Sequence, residues 1–157
     1  MATNAQALYQ SKKMTADEAI RVVKNYDVIS VPVAAAEPPT LLHALSAARK
    51  DFHGVKVMQI LPLRKYEYLD PTTAEHIAHC GWFLSGATRP GWAAGVVDVV
   101  PNYFFEIPYL IREEAVKADV VFSLASPMDE YGYFSLSIGA DYTMAAVQKA
   151  RAVVLAV

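Results

Sequence analysis

The chain has 157 residues, with 14 lysine and arginine against 16 aspartate and glutamate, giving a formal charge of −2 with neutral histidine. Hydrophobic residues make up 54% and charged residues 19%, for a mean hydropathy of +0.21, which is enough apolar surface for one cored domain and far too much for a disordered chain. The cations are scattered rather than striped, which argues against nucleic acid as a partner, and no apolar run approaches the ~20 residues of a membrane helix. A single cysteine, Cys80, allows no internal disulfide and suits a cytoplasmic setting. The segment Met1 to Lys13 is polar and lacks the apolar core of a signal peptide.

Strand-like and helix-like segments alternate along the chain. Thr15-Ala-Asp-Glu18 reads as a capping box opening a helix to about Lys24. Val28 to Val33 is β-rich, with Pro32 near its end, and Ala34 to Pro39 is a loop whose prolines suit the first turn of a helix over about Thr40 to Arg49. A strand over Val55 to Leu61, a polar tyrosine-rich connection from Arg64 to Asp70 and a short helix from Pro71 to Cys80 follow. Gly81 to Pro90 reads as irregular, Val96 to Val100 as a strand, and Phe104 to Arg112 as a short helix. Asp119 to Ala125 has the continuous apolar character of a central parallel strand. A short strand over Tyr133 to Ser137, a helix over Tyr142 to Ala150 and a last strand over Ala152 to Val157 complete the reading. The pattern predicts an α/β fold with a doubly wound, mostly parallel sheet, helices on both faces and right-handed crossovers. The apolar end of the chain carries the expectation that the polypeptide continues.

Ligands of such sheets bind beyond the carboxyl ends of the strands. Those loops are predicted at Ala34–Pro39, Leu61–Tyr66, Pro101–Glu106 and Ser126–Gly132. Ser126 to Leu136 concentrates turn formers (Pro127, Asp129, Gly132) after a buried strand, as a ligand wall does, although a hairpin-like connection is the commoner use of such a stretch. Glu37 and Glu106 both fall in strand-end loops, where a carboxylate serves as nucleophile or base, but a glutamate just ahead of a helix also complements its dipole, and that reading is preferred for Glu37. On the expected helix, His76, His79 and Cys80 share one face. A closed zinc site needs four ligands, and with no further cysteine in the chain packing histidines are the preferred reading. No phosphate-cradling, dinucleotide-binding or nucleophile-elbow motif occurs.

Met14-Thr-Ala-Asp-Glu-Ala-Ile20 followed by Ala35-Ala-Glu-Pro38 before an Ala/Leu helix is similar to the amino-terminal domain of the acetyl-CoA hydrolase/transferase family, whose relatives include the 4-hydroxybutyrate CoA-transferases. Asp98-Val-Val-Pro101 with Glu106-Ile-Pro108 resembles a second family segment. Ala125-Ser-Pro-Met-Asp-Glu-Tyr-Gly-Tyr-Phe-Ser-Leu136 with Asp141-Tyr-Thr143 resembles a third, more specific one. The resemblance runs through nearly the whole chain in order.

It implies a CoA-transferase-like domain over residues 1–157, the first of two, with a carboxyl-terminal catalytic domain or partner subunit completing the enzyme. The implied substrates are an acyl-CoA and a small carboxylate, with no permanently bound cofactor and no metal. CoA would pass between acids through a glutamyl-CoA thioester on a glutamate outside this chain, so no catalytic residue is expected here. A thioester hydrolase of the same family and a non-catalytic assembly subunit are the alternatives, and self-association is expected. The implied substrate-binding positions are Ala35, Glu37, Pro38, Glu106, Ser126, Pro127, Asp129 and Gly132. Four features depart from the pattern: the Val31-Pro-Val-Ala-Ala-Ala36 turn has no glycine, Met128 replaces a proline, Tyr131 a histidine and Ser137 a glycine.

Overall fold

The computed structural model describes residues 2–136 and 138–157. Its helices are α1 (Ala2–Lys12), α2 (Ala16–Ala19), α3 (Pro39–Ala47), α4 (Arg89–Ala93), α5 (Ile107–Arg112) and α6 (Thr143–Lys149). Its strands are β1 (Val28–Ser30), β2 (Val55–Ile60), β3 (Ile77–Phe83), β4 (Val97–Val99), β5 (Val120–Leu124) and β6 (Ala152–Ala156). They form one six-stranded sheet in the order β4-β3-β2-β1-β5-β6. Every ladder is parallel.

Side-chain alternation divides the interior into two layers. Ile29, Val55, Val57, Ile77, Val120 and Phe122 pack under α2 and α3 through Ile20, Leu41, Leu42 and Leu45. Met58, Ile60, Trp82 and Val121 pack under α5 and α6 through Ile107, Ile111, Ala145 and Ala146. Leu42 and Leu45 are fully buried, each contributing about 2–3 kcal/mol of apolar burial. The Thr15 capping box forms as expected: Thr15 accepts from the Glu18 amide and Glu18 returns to the Thr15 amide at 2.8 Å. Pro39 occupies the first turn of α3. No described helix is long and apolar enough to cross a membrane.

Four local expectations are corrected. Pro71 to Cys80 is not a helix but a single 3₁₀ turn (Pro71–Thr73) followed by β3, which continues into the segment read as irregular. In its alternation His79 faces the α2/α3 layer while Cys80 packs with the other, so no common face unites His76, His79 and Cys80. A short apolar run covered on both faces has no period by which to distinguish strand from helix. Residues 133–136 form no strand, and Ser137 lies outside the described residues. That segment is excluded from the sheet because β1 and β6 already occupy both sides of β5. Residues 89–93 form α4, and the polar amino-terminal segment forms α1, whose Tyr9 ring meets Phe134 edge-on at 5.5 Å.

Candidate functional site

The strand order reverses between β1 and β5. The chain leaving β1 enters α3 on one face and the chain leaving β5 enters α6 on the other, the arrangement that in open α/β sheets places the ligand crevice beyond these carboxyl ends. Two sets of buried hydrogen bonds shape its edges.

The first set centres on Glu37, which is fully buried. Its Oε1 accepts from Arg64 Nη1 at 2.7 Å and from the Tyr66 hydroxyl at 3.1 Å. Its Oε2 accepts from Gln59 Nε2 at 2.9 Å and from the Leu63 amide at 3.3 Å. Gln59 also donates to the Pro32 carbonyl at 3.3 Å, and with acceptors on both sides its amide orientation is fixed. These bonds run to the β2 end and the loop after it, not to the first-turn amides of α3, so the helix-dipole reading of Glu37 is replaced by that of a pin between the β1 and β2 loops. Burial, with the Glu37 carboxylate alongside, raises the Tyr66 phenol above its ordinary range. The same carboxylate raises the Arg64 guanidinium.

The second set comes from Asp141-Tyr-Thr143. Asp141 Oδ2 accepts from the Val33 amide at 2.9 Å, while Oδ1 accepts from the Thr143 amide at 2.8 Å and hydroxyl at 2.6 Å, fixing the start of α6. The buried Tyr142 hydroxyl donates to the Val31 carbonyl and accepts from the Ile60 amide, joining the separating ends of β1 and β2. Desolvation holds that phenol neutral by raising it well above its ordinary range. A Cβ on Gly139 would stand 3.0 Å from the Ala36 Cβ, so the approach to Asp141 lies directly on the β1 loop.

Within this frame Ala34 adopts φ 48° and Leu61 φ 51°, left-handed backbone that L side chains disfavour by roughly 1–2 kcal/mol per residue. Ala34 therefore makes, without glycine, a turn that glycine would make unstrained, and the surrounding hydrogen bonds hold the strain at the edges of the crevice.

The predicted positions separate into groups. Ala35 is exposed at the rim of the β1 loop, and Pro38, buried behind it, is the N-cap residue of α3. In the β5 loop Ser126 is half-buried and Pro127 exposed. Ser126 and Ser135 pair, with amide-to-carbonyl and amide-to-hydroxyl bonds of 2.8 and 2.9 Å. Asp129 Oδ1 accepts from the Tyr131 and Tyr133 amides at 2.9 and 2.8 Å, closing the tip of the loop, and Gly132 takes φ 92° there. Glu106 belongs elsewhere: it accepts from the Tyr103 amide at 2.8 Å, capping the turn before α5, and no described hydrogen bond joins it to the crevice. Gln59, Arg64 and Tyr66 were missed because nothing in a tyrosine-rich connection marks it as the partner of a glutamate 27 residues earlier. Asp141 and Tyr142 stood in the resembling segment without a role. Among the described residues no cluster of histidine, cysteine or carboxylate side chains has the arrangement of a metal site.

The model of the acetyl-CoA hydrolase/transferase N-terminal domain matches residues 1–157. The chain belongs to this family. Among its relatives, the succinyl-CoA:cyclohexane-1-carboxylate CoA transferase of Geobacter metallireducens is 39% identical over 95% of this chain and 34% of its own length. The 4-hydroxybutyrate coenzyme A transferase of Clostridium kluyveri is 30% identical over 95% and 35%. The crystal structure of RipA from Yersinia pestis superposes with a TM-score of 0.87 at 30% identity, over 96% of this chain and 37% of that one. The 4-hydroxybutyrate CoA-transferase of Porphyromonas gingivalis gives 0.71 at 25% identity, over 96% and 34%. The chain thus spans about a third of the length of these curated relatives. Two of the segments that carry the family resemblance are anchored by these bonds: Asp-Tyr-Thr before α6 to Val31 and Val33 at the end of β1, and Ala-Glu-Pro, just after, to the end of β2 through Glu37.

Proposed function

We propose that this domain walls the substrate crevice of a CoA-transferase that moves coenzyme A between an acyl-CoA and a small carboxylic acid. The observation that carries the reading is the pinned crevice at the strand-order reversal, formed by the family's own segments around Glu37, Asp141 and Tyr142. The matched relatives are named as CoA transferases acting on acids from acetate to cyclohexane-1-carboxylate, which favours transfer over hydrolysis.

In this reading a glutamate from the carboxyl-terminal catalytic domain or a partner subunit attacks the thioester carbonyl. The C–S bond breaks, CoA leaves as thiolate, and an acyl-glutamyl anhydride remains. The thiolate then attacks the glutamyl carbonyl, releasing the first acid as carboxylate and leaving glutamyl-CoA. The second acid enters by the reverse sequence, so the thioester's free energy is conserved throughout. Glu37 is not that nucleophile: it is sealed from solvent and accepts four hydrogen bonds. Ala35, Ser126 and Pro127 supply the wall itself. Glu37 and Pro38 hold the wall from behind, Asp129 and Gly132 shape the tip of the β5 loop, and Glu106 acts at a distance by fixing the turn before α5. A cytoplasmic setting and self-association through the exposed aromatic residues after β4 belong to the same reading.

The test is acyl exchange between butyryl-CoA and labelled acetate, run with residues 1–157 alone and with the full polypeptide carrying this domain. Exchange only in the latter is expected, and sustained exchange by residues 1–157 alone would sink the proposal. Thiol release without an acceptor acid would turn the reading toward a hydrolase.

A further inference from the structure

The described hydrogen bonds of the β5 loop hold its shape rather than its place. Every one made by Ser126 to Phe134 closes within residues 126–135. Ser126 pairs with Ser135, the Asp129 backbone with Gly132 and Tyr133, and the Asp129 carboxylate with the Tyr131 and Tyr133 amides. None reaches Glu37, Asp141 or Tyr142, the residues that tie the neighbouring segments together. Contact from outside comes from α1. Among its described side chains only Ala5 and Tyr9 are half-buried, and the rest are exposed. Four residues apart, these two share one helical face, and both face the β5 loop. The Tyr9 ring meets Phe134 edge-on at 5.5 Å and 67°. Ala5 lies so near Gly132 that a Cβ there would stand 2.8 Å from its own Cβ. Lys13 Nζ sits over the Tyr9 ring, 5.6 Å from its centroid.

We infer that α1 is a clasp on the β5 loop, with Tyr9 as the positioning residue that sets where the loop stands. The helix has 11 residues, short of the ~12–15 at which a helix begins to hold by itself in water, and it buries only this one narrow stripe. Its persistence therefore depends on docking, and the loop is the surface it docks on. Such coupling is reciprocal: what the loop gives the helix, the helix gives the loop. Gly132 permits the close approach, because its φ of 92° and its lack of a Cβ leave room for Ala5. The inference deepens the function proposed above, in which Ser126 and Pro127 wall the substrate crevice. Its part in turnover rests on that reading, whereas its effect on the loop does not. A loop that is not held must be ordered by the ligand, which lowers apparent affinity by the fraction of molecules in the competent position.

The experiment is amide hydrogen exchange by mass spectrometry on the full polypeptide carrying this domain, in the wild type, Tyr9→Ala and Tyr9→Phe. Peptides over residues 126–136 report the loop, and peptides over β2 report the fold. Tyr9 is at the surface, so the fold is expected to survive; Ala5→Leu, which crowds Gly132, replaces Tyr9→Ala if the latter does not fold. The expected result is loop exchange about 3- to 10-fold faster in Tyr9→Ala, the equivalent of one edge-to-face aromatic pair, with β2 unchanged. Tyr9→Phe keeps the ring edge and should match the wild type. Loop exchange unchanged in Tyr9→Ala, equally fast in Tyr9→Phe, or accelerated together with β2 overturns the inference. Acyl exchange between butyryl-CoA and acetate on the same preparations separates it from the function proposed above, the expected split being a several-fold rise in KM for butyryl-CoA with a smaller change in kcat. Faster loop exchange in Tyr9→Ala with no acyl exchange even by the wild type removes the transferase reading and leaves the clasp. Acyl exchange by the wild type with loop protection unaltered in Tyr9→Ala removes the clasp and leaves the transferase. Faster loop exchange with KM unaltered overturns the positioning role of Tyr9.

Discussion

His79 gives the domain a built-in sensitivity to mild acid. It sits on β3 under the α2/α3 layer, 1% exposed, stacked against Tyr68 at 6.5 Å, and neither ring nitrogen has a hydrogen-bond partner among the described residues. Burial lowers its proton affinity from the ordinary 6.5 to about 4. The unfolded chain therefore takes up this proton near pH 6.5 and the folded chain only near 4, so stability is intact above about pH 7 and falls with pH through that window. Linkage over 2.5 units amounts to about 3 kcal/mol in full, of which about 2 kcal/mol is lost between pH 7 and pH 5. His79→Leu removes the titration while keeping an apolar filling. Urea unfolding of both proteins at pH 7, 6 and 5 should show the wild type losing about 2 kcal/mol more than the variant between the extremes. Carboxylates held low in the fold, such as Glu67 beside Ser46, titrate in both proteins and cancel in the difference. Parallel pH profiles for the two proteins would refute the argument, because they would mean that His79 is solvated or partnered in the fold.

Three further outcomes follow from the crevice. Glu37→Ala leaves the Gln59, Tyr66 and Leu63 donors buried without their acceptor and should cost about 3–5 kcal/mol in chemical denaturation, whereas Arg64→Ala, whose side chain is 48% exposed, should cost clearly less. Ala34→Gly relieves left-handed strain while loosening the unfolded chain, so it should change stability by less than about 1 kcal/mol in either direction, where a glycine in ordinary helical backbone at Ala44 should destabilise by about 1 kcal/mol. Gly132→Ala forces a side chain into φ 92° and within 2.8 Å of the Ala5 Cβ. It should lower stability by about 1–2 kcal/mol and make α1 more susceptible to limited proteolysis.

What was legible in the sequence was what repeats or is local. Thr15 and Glu18 announce their capping box within four residues, and Val28, Val55, Val97, Val120 and Ala152 open strands where β-branched and apolar residues cluster between turn formers. The strand ends, and with them the side of the sheet on which a site would form, followed from the alternation of elements alone. β3 was illegible because Ala78, His79, Cys80 and Gly81 are small or ambivalent residues buried between β2 and β4, where neither helical nor strand period shows. The crevice was half legible. Glu37 stands out beside its prolines, but its partners lie 22 to 29 residues downstream on β2 and the loop after it, and that pairing exists only once β1 and β2 lie side by side. Val33 and Asp141 are 108 residues apart and meet for the same reason.

The hydrogen bonding also accounts for why Glu37, a carboxylate just beyond the end of β1, is not placed to attack a thioester. A nucleophilic carboxylate must present a lone pair to an incoming carbonyl carbon at about 3 Å, with room for that group to approach. The Glu37 oxygens are committed to Arg64, Tyr66, Gln59 and the Leu63 backbone, and the side chain is fully buried. What such a carboxylate provides is stiffness. It ties the β1 loop to the β2 loop, while Asp141 and Tyr142 tie the β1 loop to the segment that follows the β5 loop. Three loops then share one hydrogen-bonded frame, and the left-handed Ala34 and Leu61 are held in place by bonds from more than one direction. In the reading proposed above, rigid placement of this kind lets a reacting glutamate be supplied from elsewhere, because the substrate's position would not depend on the group that attacks it.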